Sequence, residues 1–236
     1  MVVEKLLDIR HLDVSYRELK SSRFNPLAKK ELIMALNDID FQAHRGENIA
    51  ILGRNGAGKS TLLKCIAGFL RPSNGTITTK GRIMLLAGTN PGFQSDITGR
   101  ENIKLLAPLY GVKESEINDF IKNLEEFTQL GESLDRNFKG YSSGMKGKIG
   151  FGFMTGLSPD LLLIDETLGV GDLEFRAKAQ IRLKEFIKRS GSVLISTHSL
   201  GLASEICTRG ILLDKGKIIF QGDITECINK YKEIIK

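Results

Sequence analysis

The chain has no tryptophan, three cysteines, five prolines and three histidines in 236 residues. Cys65, Cys207 and Cys227 are an odd number at wide spacings, which suits neither a disulfide framework nor a Cys-x-x-Cys metal site. They read as ordinary thiols. No repeat and no low-complexity linker marks a place to cut the chain. No apolar run is longer than Ile83 to Ala87, against the roughly 20 residues that a membrane-crossing helix needs. The first residues interleave charged with apolar side chains, whereas a secretory signal needs a charged start followed by an unbroken apolar stretch. The expectation is a cytoplasmic chain.

What is present is 41% apolar and 26% charged, the composition of an ordinary globular protein. The length suits one domain, or a core with a small subdomain. Acid is in the minority, with 28 Asp and Glu against 34 Lys and Arg, a net +6 that directs attention to a phosphate-bearing or membrane-surface partner. That excess is local. Residues 17–30 hold Arg17, Lys20, Arg23, Lys29 and Lys30 against Glu18 alone, so this stretch carries +4 and everything else only +2. It reads as a long, basic, exposed connection suited to a surface of anionic head groups, or as a merely solvated loop.

Alternation of Leu7 and Ile9, then Leu12, Val14 and Tyr16, predicts a first strand, and Ile33 to Phe41 a second. A buried strand at 47–53 runs through a glycine loop into a helix at 60–67. Short strands are expected at 75–79 and 82–86, then helices at 98–110 and 114–130. After this mostly helical section the chain returns to strands at 161–165, 192–196, 210–214 and 217–221, with helices at 174–189 and about 199–207 between them. That order predicts an α/β fold with a largely parallel sheet. Asp223 and Glu226 form a capping-box-like pair ahead of a last helix whose apolar face would be Ile224, Ile228, Tyr231 and Ile235, docked on the core or offered to a partner.

Residues 53–60, Gly53, Arg54, Asn55, Gly56, Ala57, Gly58, Lys59 and Ser60, match G-x-x-x-x-G-K-S/T between a strand and a helix, followed by Thr61. Glycines there let backbone N–H groups wrap phosphate oxygens, the helix end adds positive potential, and Lys59 reaches the outer phosphates. Ser60 is the expected Mg²⁺ ligand, and Asp165, ending a second apolar strand, its complement. Glu166 beside it is expected to act as general base toward the attacking water. His198 follows the third apolar strand on the same sheet edge, placed to touch the γ-phosphate.

With these residues in place, nearly the whole chain resembles the nucleotide-binding subunit of an ABC transporter. Tyr-Ser-Ser-Gly-Met at 141–145 stands where that family carries its signature: Ser142 and Ser143 can cap a helix, and Gly144 leaves N–H groups open to an anion. The resemblance implies that Ser142, Ser143, Gly144 and Met145 close on the ATP held by the opposite subunit of a homodimer, that Asp172 touches that subunit, and that Tyr16 stacks on adenine. As an alternative, Tyr16 is a buried strand aromatic. It further implies a P-loop (RecA-like) core with an N-terminal antiparallel β subdomain and an inserted helical subdomain. On this resemblance the whole is expected to be one ABC ATPase domain, with 1–96 and 158–236 as core with the β subdomain and 97–157 as the helical subdomain with the signature.

Tyr-Ser-Ser-Gly-Met in place of Leu-Ser-Gly-Gly-Gln, Glu-Thr-Leu-Gly-Val-Gly-Asp at 166–172, and Thr-Gly-Arg-Glu-Asn-Ile at 98–103 resemble the branch exporting O-antigen, capsule or teichoic-acid polymers. This implies ATP and Mg²⁺ as ligands, separate transmembrane permease subunits, a lipid-linked polysaccharide as cargo and a place on the cytoplasmic side of the cell membrane. No nucleic-acid partner is expected. The rivals are an ABC subunit for a lipid or drug, and a soluble ABC ATPase. The family's usual glutamine is not at its place: counting back from Arg100 reaches Thr89, and Gln94 lies five residues on. Gly147, Gly150, Gly152 and Gly156 weaken the signature helix by roughly 1 kcal/mol each relative to alanine, which close packing or a bend would explain.

Overall fold

The computed structural model describes residues 4–19, 30–86, 90–165 and 173–235. Chain order is β1 (Lys5–Leu19), β2 (Lys30–His44), β3 (Asn48–Leu52), α1 (Lys59–Ile66), β4 (Asn74–Thr79) and β5 (Ile83–Leu86). Then come α2 (Gly99–Leu109), α3 (Ile117–Thr128) and α4 (Ser143–Gly156). Alternation resumes with β6 (Leu161–Ile164), α5 (Leu173–Arg189), β7 (Val193–Ser196), α6 (Leu200–Ile206), β8 (Arg209–Asp214), β9 (Lys217–Asp223) and α7 (Ile224–Ile234).

The chain divides into two units. Met1–Leu85, Pro159–Glu166 and Gly191–Lys236 form the first, and Leu86–Ser158 with Thr167–Ser190 the second. In the first unit, β2, β1 and β4 make an antiparallel sheet, and β5-β6-β7-β3-β8-β9 a second sheet. Here β3 pairs in parallel with both β7 and β8, β6 pairs in parallel with β7, and β9 returns antiparallel on β8. Leu62, Leu63 and Ile66 of α1 pack into one core with Ile9, Leu36 and Ile39 of the hairpin and Ile49, Leu163 and Ile211 of the larger sheet. These are the apolar positions that the periods of strand and helix bring to one side.

The apolar alternation of β1 slips by one residue between Ile9 and Leu12, and the structure absorbs the slip as a bulge. Pairing runs Ile9 to Phe41 and then Leu12 to Ile39, with His11 left-handed at φ 48°. On β2 a matching irregularity follows at Asp38, φ 52°. Its backbone N–H donates to Asp13 (2.8 Å) and its carboxylate lies 2.9 Å from His11 Nδ1, so local side chains hold both bulges. Leu7, Ile9, Leu12 and Val14 thereby all stay buried. The basic connection is shorter than expected, because Arg17 pairs with Leu32 and Leu19 with Lys30 inside the strands. Residues 20–29 lie outside the described residues.

The last helix docks on its own unit: Ile224, Cys227, Ile228 and Tyr231 are buried, with β8 and β9 beneath them. Ile235 does not join that face. It sits past the final turn and is half-exposed. Asp223 caps the helix, accepting from the N–H groups of Thr225 and Glu226.

The second unit is wider than the section expected at 97–157. It takes in α5, whose Phe175 and Ala179 pack on Phe151 of α4, with Phe127 beside them. A second aromatic set, Phe93, Tyr110 and Phe120, meets Phe153 edge to face at 5.4 to 5.6 Å. Close packing accounts for two of the α4 glycines. A Cβ at Gly152 would press on Thr128 and Phe127, and one at Gly156 on Phe120.

Candidate functional site

The loop after β3 has the construction that phosphate binding needs. At Gly53 the backbone passes so close to the Leu213 carbonyl that no Cβ fits. Gly58 takes φ 107°, and a Cβ there would stand 2.7 Å from Leu36 and 2.8 Å from the Ala35 carbonyl. Between them Ala57 is buried and tied down, its carbonyl accepting from Gly216 N–H at 3.0 Å. Arg54, Asn55 and Gly56 are exposed, and nothing lies within 4 Å of a Cβ at Gly56. The result is a fixed ring of backbone with an open mouth. Lys59 is buried and donates to the carbonyls of Gly53 (2.8 Å) and Arg54 (3.2 Å), holding its ammonium across the loop. Ser60 and Thr61 follow Lys59 in the first turn of α1, which carries no acid to offset the positive helix end.

Topology brings the remaining candidates of this unit to the same edge. Ile164 pairs with Ile195 and Ser196 with Ile51 across parallel strands. Asp165, Ser196 and Ile51 therefore stand at one level, and Gly53, Thr197 and His198 leave the sheet just beyond them, where ligands bind in such sheets. Asp165 is half-buried and His198 exposed. The hydroxyl of Ser60 and the carboxylate of Asp165 are both oxygen donors, the type that suits a hard cation such as Mg²⁺. Ser196, absent from the sequence reading, carries the buried hydroxyl that lacks a hydrogen-bond partner among the described residues. Its only signal in the sequence is a polar residue closing an apolar strand.

Tyr16 is not a buried strand aromatic. Its ring is 40% exposed, and its hydroxyl donates to Thr61 Oγ1 at 3.5 Å, beside the phosphate loop. Glu166, Asp172 and Thr89 lie outside the described residues.

In the second unit the signature turn takes the expected form. Ser142 is the N-cap of α4, its hydroxyl accepting from Met145 N–H at 3.2 Å, Ser143 begins the helix, and Gly144 is sterically open. The tyrosine that opens the motif is buried, and its hydroxyl donates to the Ser133 carbonyl at 2.6 Å. The Arg-Glu-Asn-Ile string also has a structural account. Thr98 and Glu101 cap α2 reciprocally, while Asn102, fully buried, accepts from Gln94 N–H (2.6 Å) and donates to the carbonyls of Gln94 (2.9 Å) and Thr98 (3.0 Å). Asn102 thus fixes the backbone of Gln94, whose side chain is exposed.

The cysteines offer no nucleophile. Burial pushes the thiols of Cys65 and Cys227 up to about 11 and that of Cys207 up to about 12.

Residues 36–169 match the family model described as ABC transporter. The chain belongs to the ABC transporter family. It is 39% identical over 207 residues to the O-antigen export system ATP-binding protein RfbB of Klebsiella pneumoniae, covering 88% of this chain and 84% of that protein. It is 36% identical over 214 residues to the teichoic acids export ATP-binding protein TagH of Listeria innocua, covering 90% of this chain and 64% of that protein. Among solved structures it is similar to an ATP-binding subunit of an ABC transporter, with a TM-score of 0.73 at 27% identity over 96% of this chain and 93% of that one. The fold is that of an ABC ATPase cassette.

Proposed function

We propose that this chain is the ATP-hydrolysing subunit of an exporter that carries a lipid-linked cell-surface polysaccharide across the cytoplasmic membrane. The observation that carries the ATPase reading is the phosphate loop, rigid at Gly53 and Gly58 and open at Gly56, with Asp165 and His198 leaving the same sheet edge. The names of the two relatives, exporters of O-antigen and teichoic acids, support the cargo class.

In this reading the loop N–H groups and Lys59 bind and orient the phosphates, and Ser60 with Asp165 holds Mg²⁺. When bound, the metal neutralises charge on the transferring phosphoryl group. Glu166 takes a proton from the attacking water, His198 holds the γ-phosphate, and Tyr16 covers the adenine. Two copies pair head to tail, so that Ser142, Ser143 and Gly144 of one close on the nucleotide of the other with Asp172 at the contact, and closure drives separate permease subunits. No helix among the described residues is long and apolar enough to cross a membrane, which agrees with a peripheral place on its cytoplasmic side.

The Glu166→Gln variant tests the assignment. ATP turnover should fall by roughly 100-fold or more, and ATP should hold the variant as a dimer in gel filtration. Unchanged turnover removes Glu166 from its role. Co-purification of the membrane partner with a bound lipid-linked sugar tests the cargo, and a partner carrying a lipid without glycan would reassign it.

A further inference from the structure

Five of the fourteen residues of α4 are glycine, at 144, 147, 150, 152 and 156. Gly152 and Gly156 turn bare backbone toward α3, where added Cβ atoms would stand 3.0 Å from Thr128 and 2.7 Å from Phe120. Phe153 and Phe151 of α4 still meet Phe120 and Phe127 of α3, but the two glycine positions themselves offer no side-chain ridge, so shape alone fixes the last turn of α4 poorly against sliding and rotation. Directional bonds must supply what ridges do not.

One side chain makes most of them. From α5, Arg182 Nε donates to Thr155 Oγ1 (2.8 Å) in the last turn of α4, and its Nη2 donates to Asn123 Oδ1 (2.8 Å) on α3. Its guanidinium lies 4.2 Å over the ring of Phe127, also on α3. The Thr155 hydroxyl in turn donates to the Phe151 carbonyl at 2.7 Å, so the fork is keyed to the backbone of α4 and not to a loose rotor. Arg189 adds a bond to the Thr155 carbonyl at 2.9 Å. Burial lowers the Arg182 pKa, and among the described residues each of its hydrogen-bond partners is a neutral hydroxyl, amide or carbonyl, Glu185 acting on it only through its charge. A half-buried charge hydrogen-bonded to neutral groups is a costly way to fill space, whereas a planar fork of donors is a good way to fix direction.

We infer that Arg182 is a positioning residue for the signature turn: by locking α4 to α3 and α5 at its C-terminal end, it sets where Ser142, Ser143 and Gly144 stand at the other end. The link between the two ends is a helix of fourteen residues, about 21 Å long. The consequence for ATP rests on reading that turn as the group that closes on the opposite subunit's nucleotide.

Two readouts on Arg182→Gln and Arg182→Lys test it and separate it from that reading. Amide hydrogen exchange across 143–147 should speed up by roughly tenfold in both variants, because lysine keeps the charge but not the fork. Faster exchange confined to 150–156, or wild-type exchange in Arg182→Lys, overturns the positioning role. In the Glu166→Gln background, the ATP concentration that drives dimerisation should rise by roughly tenfold, while binding of a fluorescent ATP analogue to the monomer's phosphate loop stays within about twofold. Unshifted dimerisation overturns the link to ATP. Failure of the parent Glu166→Gln chain to dimerise faults the reading of the signature turn instead, and exchange still decides the role of Arg182. Should both variants fold poorly, Asn123→Ala removes one arm of the fork and should raise exchange at 143–147 in the same direction, with no rise there counting against the proposal.

Discussion

Single residues carry much of what distinguishes this cassette. Asn102 is the clearest case, since one buried amide satisfies three backbone groups around Gln94 and Thr98. Asn102→Ala should cost about 1–3 kcal/mol, because it leaves a buried N–H and carbonyl without partners. Urea unfolding would measure the loss, and a change within error would mean that water takes over both groups. The Gly-x-x-x-x-Gly-Lys-Ser loop was legible in the sequence because its chemistry is local, eight consecutive residues between a strand and a helix. Asn102 was not, although its partners are only four and eight residues away, because the turn that brings their backbone to its amide has no periodicity; Arg182 was not, because its partner Asn123 lies 59 residues away and is set by tertiary packing. The buried thiols give a pH prediction. Their folded pKa values stand above the ordinary 9.0, so the stability of the neutral form is complete below pH 9 and is lost as pH rises toward about 12. Cys207→Ala should flatten that alkaline loss, read as the urea midpoint against pH, and an unchanged slope would reject the thiol as its source.

At the scale of elements, the β1–β2 hairpin shows what periodicity reveals and what it hides. The alternation of Leu7 and Ile9 and then of Leu12 and Val14 predicts a single strand, and the switch of phase within it proves to be the bulge at His11. The hairpin's length was hidden, because Arg17 and Lys30 look like loop residues until their cross-strand partners are known. Beside the basic stretch, Leu32, Ile33 and Met34 are exposed although they lie in a strand, so neither face of the hairpin is covered there. Neutralising Arg17, Lys20, Arg23, Lys29 and Lys30 together should impair export while leaving basal ATP hydrolysis intact. Reconstituted export assayed beside phosphate release is the measurement, and full export would reduce the stretch to a solvated loop. In α7 the period of the apolar residues identified the docked face correctly through Tyr231, and failed at Ile235 because the helix ends before it.

For the whole molecule, the antiparallel β sheet was expected only from the resemblance to the family, while the α/β order and the mostly helical middle section were readable from the succession of periods. The membership of α5 in the second unit was not, since it depends on Phe175 meeting Phe151 and Phe127, a contact that sequence order gives no reason to expect. The parallel sheet has a consequence for biosynthesis. Its strand β3 lies between β7 and β8, whose first residues are 193 and 209, so the two neighbours are encoded some 145 and 161 residues downstream of Asn48. At a few to about 20 residues per second, the ribosome leaves the apolar Ile49–Leu52 stretch without either strand for on the order of 10 s. Through that interval the exposed stretch calls for cover by chaperones or by the β1–β2 hairpin, and chains truncated before residue 193 should aggregate, which sedimentation of the truncated product would check.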